Sequence, residues 1–148
     1  MMSMQLSSPA FTNGERIPDR YTKSGDNDQP ELMISDVPES AQELAVICHD
    51  PDAPMPNGFT HWLLYGIPTG TKQIPMNGEK QFRPAVNDFG DIGWGGPLPP
   101  EGHGPHHYYF WLYALNTPVS GMPDRETFLR DYGAHVIDQS RIIGLYER

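Results

Sequence analysis

The stretch Gly95 to Asn116, GGPLPPEGHGPHHYYFWLYALN, constrains the fold more than any other. Every residue from Tyr108 to Leu115 is aromatic or aliphatic, which reads as a buried strand with bulky side chains. Ahead of it runs a loop stiffened by Pro97, Pro99, Pro100 and Pro105 and loosened by Gly95, Gly96, Gly102 and Gly104. That loop delivers His103, His106 and His107 to the mouth of a core strand. Alternation puts His107, Tyr109, Trp111 and Tyr113 on one face and Tyr108, Phe110, Leu112 and Ala114 on the other, so His107 and Tyr109 can enter one cavity together.

Sixteen prolines and fifteen glycines favour many short strands joined by tight turns, with little helix. The chain's 148 residues suit one domain with one core. A formal charge of −9 without any basic run argues against nucleic acid and against an anionic membrane surface. Cys48 stands alone inside the apolar run LAVICHD, which excludes an internal disulfide and a thiolate zinc site and reads as an inert, buried thiol. MMSMQLSSPAF lacks a leader pattern and no stretch is long enough for an integral membrane segment, so the expected location is cytoplasmic.

Turn signals crowd residues 1–40 around a short strand at Leu32 to Ile34. Around Asp26 and Asp28 the glycine precedes the carboxylates and no glutamate closes a twelve-residue loop, which argues against a calcium site. Leu44 to Cys48 reads as a buried strand leaving the core at Asp50-Pro51-Asp52-Ala53-Pro54, and Thr60 to Ile67 as the next. Residues 69–93 read as a long connection carrying Phe82 and Phe89 inward. Asp124 to Tyr132 is the one convincing helix, with Asp124 as cap, Phe128, Leu129 and Tyr132 as apolar face and Gly133 at its end. His135 to Tyr146 reads as extended. Short strands at turn-marked spacing point to an antiparallel sandwich.

The polar residues at strand ends form three groups: Asp50 with Asp52, His61, and His103, His106 and His107 with Tyr109. Imidazoles, a phenol and a carboxylate beside exposed loop amides would hold a small anion, an Asp orienting one imidazole and favouring its charged form. The candidates are a phosphate monoester, a phospholipid head group or a carboxylate. Zinc uses the same ligand types, but no HExxH or short helical His pair occurs, and His106 and His107 point opposite ways. No serine sits in a GxSxG elbow. The plainer readings are that His103 and His106 are exposed loop residues, that His49 and His135 are structural, and that Asp50 and Asp52 receive turn amides.

DPDAP at Asp50 to Pro54, THWLLYGIP at Thr60 to Pro68 and GGPLPPEGHGPHHYYFWLYAL at Gly95 to Leu115 occur in that order. They are joined by SSPAF, RIPDRYT, NDFGDIGWGG and a closing GLYER. In these motifs the chain resembles the phosphatidylethanolamine-binding protein family, in its bacterial Raf-kinase-inhibitor-like branch. The resemblance implies a mainly β fold, an antiparallel β-sandwich with one short helix near the C-terminus. It also implies a small-anion pocket formed by Asp50, Pro54, His61, Gly96, Pro97, His107 and Tyr109, with Pro99 and Pro100 nearby. Tyr108 would stand in place of the family's usual Arg and face away from the pocket, and the Gly-Pro loop carries one residue more than in animal members.

The expected function is therefore non-enzymatic binding of a small anionic ligand, with protonated His61 or His107 supplying positive charge and affinity weakening as pH rises through about 6.5. No cofactor and no metal is called for. A protein partner such as a kinase and a homodimer are partner expectations from relatives. The alternative is a small hydrolase or isomerase in which Asp50 orients His61 or His107 as general base. A cis peptide is expected at Ala53-Pro54.

Overall fold

The computed structural model describes residues 3–148. Met1 and Met2, the head of the stretch read as lacking a leader, lie outside them. In chain order the strands are β1 (Gln5–Ser7), β2 (Leu32–Ser35), β3 (Glu43–Asp50), β4 (Phe59–Ile67), β5 (Gln73–Ile74), β6 (Arg83–Pro84), β7 (His106–Leu115) and β8 (Val136–Tyr146), with helix α1 (Arg125–Tyr132) between the last two. They form a three-stranded sheet in the order β1-β2-β5 and a five-stranded sheet in the order β6-β4-β3-β7-β8, antiparallel throughout.

β3 sits at the centre of the large sheet, and all of its residues are buried, which is why its sequence is a run of apolar residues rather than an alternation. One face of the large sheet offers Leu44, Val46, Trp62, Leu64, Phe110 and Leu112 to Leu6, Leu32, Ile34 and Ile74 of the small sheet. That interleaving is the sandwich core, and its apolar burial is the main force holding the two sheets together. The opposite face carries Ala45, Ile47, Leu63, Tyr65 and Tyr113, and α1 covers them with Phe128.

The expected fold class is the observed one. Asp124 caps α1, its carboxylate accepting the Thr127 amide at 2.9 Å. Gly133 does not end the helix in a left-handed turn; it keeps right-handed φ and leads into a short 3-10 turn, Gly133–His135. Among the described residues every peptide bond is trans, Ala53–Pro54 included. The cis isomer expected there gives way to the ordinary trans preference in an exposed turn. Among the same residues, no helix is long and apolar enough to cross a membrane.

Candidate functional site

Where β3, β4 and β7 reach one end of the sandwich, they enclose a cavity of about 160 Å³. Its walls carry Asp50, His61, His106 and Tyr108, surrounded by Phe59 and Phe89. Ala53, Pro54 and Met55 from the turn after β3 face Leu98, Pro99 and Pro100 from the Gly-Pro loop. The rim is therefore apolar and the floor polar.

His61 reaches this cavity through an irregularity in the sheet. Cys48 pairs with Trp62, but the next residue of β3, His49, pairs with Thr60, so His61 is an extra residue opposite no partner. Trp62 and Leu64 face the sandwich core, while Leu63 and Tyr65 face α1. Strict alternation would send His61 toward α1. The bulge turns it back to the core side, as bulges beside functional sites do. There its ring packs at 4.8 Å from Phe59, 5.1 Å from Tyr108 and 5.5 Å from Phe89.

The remaining polar groups come from regular alternation. Asp50 shares the inward face of β3 with Val46 and Cys48, and His106 and Tyr108 share that of β7 with Phe110 and Leu112. His106 Nδ1 lies 2.6 Å from Asp50 Oδ2, and its Nε2 lies 2.6 Å from Nδ1 of His103, which is exposed on the loop. Asp50 Oδ1 also accepts the Asp52 amide at 2.8 Å, which closes the turn. Tyr108 lines the cavity, and its hydroxyl is the one buried side-chain polar atom without a hydrogen-bond partner among the described residues.

Burial sets the electrostatics of the cavity. It lowers the His61 pKa to about 4, against the opposing effect of the Gly95 carbonyl, which accepts from Nδ1 at 2.6 Å. His61 is thus a neutral imidazole at neutral pH, not the cation the sequence reading invoked. Burial also pushes the Asp50 carboxyl up, partly offset by the His106 ring and the Asp52 amide. It raises the Tyr108 phenol too, with Asp50 adding to the shift, so that group stays an O–H.

Of the residues expected in the pocket, Asp50, Pro54 and His61 line it. Gly96 and Pro97 stand behind it. The Gly96 amide donates to Asn27 Oδ1 at 2.7 Å, and the Pro97 carbonyl accepts the Lys23 amide at 3.0 Å. A Cβ on Gly96 would overlap the Tyr21 carbonyl oxygen, so this glycine allows two backbones to touch. His107 and Tyr109 lie on the opposite face of β7, away from the cavity. His107 Nδ1 pairs with Asp52 Oδ2 at 2.8 Å, and the Arg141 guanidinium covers the Tyr109 ring at 5.2 Å.

The pairing of His107 with Tyr109 by parity holds, but the cavity belongs to the other parity class, His106 and Tyr108. The one-residue slip flips every side chain. His106 is accordingly buried rather than an exposed loop residue, and Tyr108 faces the pocket rather than away from it. The outward-facing place that the resemblance gave to Tyr108 is taken instead by His107, whose ring is half exposed. Asp50 orients His106, not His61 or His107. Phe59, Phe89 and the rim residues Met55 and Leu98 were not singled out as site residues. Antiparallel pairing carries the signal: with His49 opposite Tyr109, the next step of the register sets Asp50 opposite Tyr108.

Residues 7–147 match the phosphatidylethanolamine-binding protein family model. A UPF0098 protein of Pyrococcus horikoshii is 42% identical over 99% of this chain and 78% of its own length. A solved phosphatidylethanolamine-binding protein homologue from Chlamydia trachomatis superposes with a TM-score of 0.91 at 33% identity, covering 99% of this chain and 98% of its own. YbcL of E. coli, described as a new member of the mammalian PEBP family, superposes with a TM-score of 0.91 at 32% identity over 99% of each chain.

Proposed function

The chain belongs to the phosphatidylethanolamine-binding protein family, and on that premise we propose that its cavity binds a small oxyanion, a phosphate, phospholipid head group or carboxylate, without chemical turnover. The observation that carries this reading is the Tyr108 hydroxyl, buried on a residue that lines the cavity and without a hydrogen-bond partner among the described residues. A buried hydroxyl left unpaired costs about 1–3 kcal/mol, a cost that a ligand oxygen accepting its hydrogen bond removes. Phe59 and Phe89 line the cavity beside Tyr108, and in such apolar surroundings that bond is stronger than in water. The cavity is narrow enough for one head group, and its apolar rim suits whatever chain the head group carries.

Calorimetric titration of inorganic phosphate and phosphoethanolamine into wild type, Tyr108→Phe and His107→Ala tests the reading. Wild type and His107→Ala bind saturably, and Tyr108→Phe binds about tenfold or more weakly, as loss of one buried hydrogen bond requires. Binding lost in His107→Ala and kept in Tyr108→Phe would move the site to the outer face of β7 and overturn the proposal.

A further inference from the structure

We infer that the pocket selects the protonated form of its oxyanion, the ligand itself donating a hydrogen bond to His61 Nε2. This rests on the oxyanion reading above and adds to it the class of anion admitted. The Gly95 carbonyl faces Nδ1 at 2.6 Å, so Nδ1 carries the proton and Nε2 presents a lone pair. Nε2 makes no hydrogen bond with the described residues, and His61 lines the cavity. An acceptor, not a donor, therefore awaits the ligand at this wall.

The rest of the lining has the same bias. Among the described residues neither Lys nor Arg lines the cavity, and three of the lining residues, Pro54, Pro99 and Pro100, have no N–H to offer. Both nitrogens of His106 are engaged, by Asp50 and by His103. Asp50 adds a carboxylate to the wall. The side-chain donor left is the Tyr108 hydroxyl.

No neighbouring element reverses this balance. From β3, His49 opposes protonation of His61, and Cys48 lies buried below Asp50; from β7, His106 opposes it too. Asp52 is turned to His107. Lys23 lies 4.5 Å over the Phe89 ring, outside the lining, and is held by Asp91 at 3.0 Å. Burial keeps His61 neutral down to about pH 4. A bare dianion would thus meet a carboxylate and a lone pair with no Lys or Arg in the lining to offset either. One proton on the ligand lowers its charge and turns the clash at His61 into a hydrogen bond.

Methyl phosphate and methyl sulfate make a charge-matched test on the wild-type protein. At pH 5.5 both are mainly monoanions, since a phosphate monoester loses its second proton near pH 6, but only the phosphate can donate. Titration calorimetry should show methyl phosphate binding, with methyl sulfate about tenfold or more weaker, because the sulfate leaves Nε2 unpaired. Methyl phosphate affinity should then fall about tenfold per pH unit above roughly pH 7, as the monoanion disappears. Equal affinity for the two esters at pH 5.5, or methyl phosphate binding that tightens toward pH 8, would overturn the inference while leaving an oxyanion site in place. Failure of both esters and of inorganic phosphate would remove the oxyanion site itself, and this inference with it.

Discussion

β7 begins with two adjacent histidines, and the end of β3 and the turn after it supply two aspartates, so the protein contains the same imidazole–carboxylate pairing twice, side by side. Inside, His106 meets Asp50 at 2.6 Å with side chains 2% and 3% exposed. Outside, His107 meets Asp52 at 2.8 Å with side chains 47% and 40% exposed. Nothing in the residue types separates the two pairs. Strand alternation alone sends one to the cavity and the other to water. In water such a pair is screened and nearly neutral in its effect on stability; sealed under aromatic rings, each partner depends on the other. The contrast is one of burial: the inner pair stands on a cavity wall, where its groups cannot relax into solvent as the outer pair can.

Replacing adjacent residues of one strand breaks each pair in turn. His106→Ala leaves the Asp50 carboxylate buried without its imidazole and should cost about 3–5 kcal/mol. His107→Ala should cost no more than about 1 kcal/mol, because water takes over from the lost ring. Urea denaturation of both variants measures the difference. Similar losses would mean that the inner pair is solvated and that burial does not distinguish the two.

The sequence discloses much of this architecture. The all-apolar run of β3, the aromatic run of β7 and the cap at Asp124 each name their elements, because each follows from a local rule: burial on both faces, alternation, or a side chain that satisfies a helix-end amide. The cavity is harder to read, for two physical reasons. Alternation groups His107 with Tyr109 and His106 with Tyr108, yet both faces of β7 are rich in aromatic residues, so composition does not reveal which face is the sandwich core. The answer lies in the pairing with β3, where Val46 and Cys48 define the inner face and Asp50 extends it. His61 reaches the cavity only because of the bulge between β3 and β4, a register shift that no periodicity in THWLLYGI announces. Phe59 and Phe89 come from opposite ends of a 30-residue separation and meet at 4.6 Å, a tertiary contact invisible to any window along the chain.

His61 extends the comparison to an imidazole that is buried like His106 but has no carboxylate partner. Its folded pKa of about 4 lies below the unfolded value near 6.5. Between those values the unfolded chain takes up a proton that the folded protein refuses. The stability linked to His61 is thus fully present above about pH 6.5 and declines as pH falls toward 4, by about 3 kcal/mol in all. His49, lowered to about 4 chiefly by burial, acts in the same direction. Denaturant midpoints at pH 7 and pH 4.5 for wild type and His61→Gln isolate the His61 share: the variant should lose less stability on acidification. Parallel losses would show that the folded protein already accommodates a charged His61, and would place a cation in the pocket after all.

The smallest effect separates Tyr108 from Tyr109, neighbours on the two faces of β7. The Tyr108 hydroxyl is buried without a partner, so in the free protein it contributes no hydrogen bond and carries a desolvation cost. Tyr108→Phe should therefore leave stability unchanged or raise it by about 1 kcal/mol, a shift of a few degrees in Tm for a chain of this size. Tyr109→Phe, half-buried beneath Arg141, should stay within about 0.5 kcal/mol of wild type. Thermal denaturation without ligand reads both. A stabilised Tyr108→Phe that no longer binds phosphate would mean that the hydroxyl is kept for the ligand at the expense of the fold. A destabilised one would mean that the hydroxyl is already satisfied in the free protein, and the cavity floor would lose its claim to be waiting for an oxygen from outside.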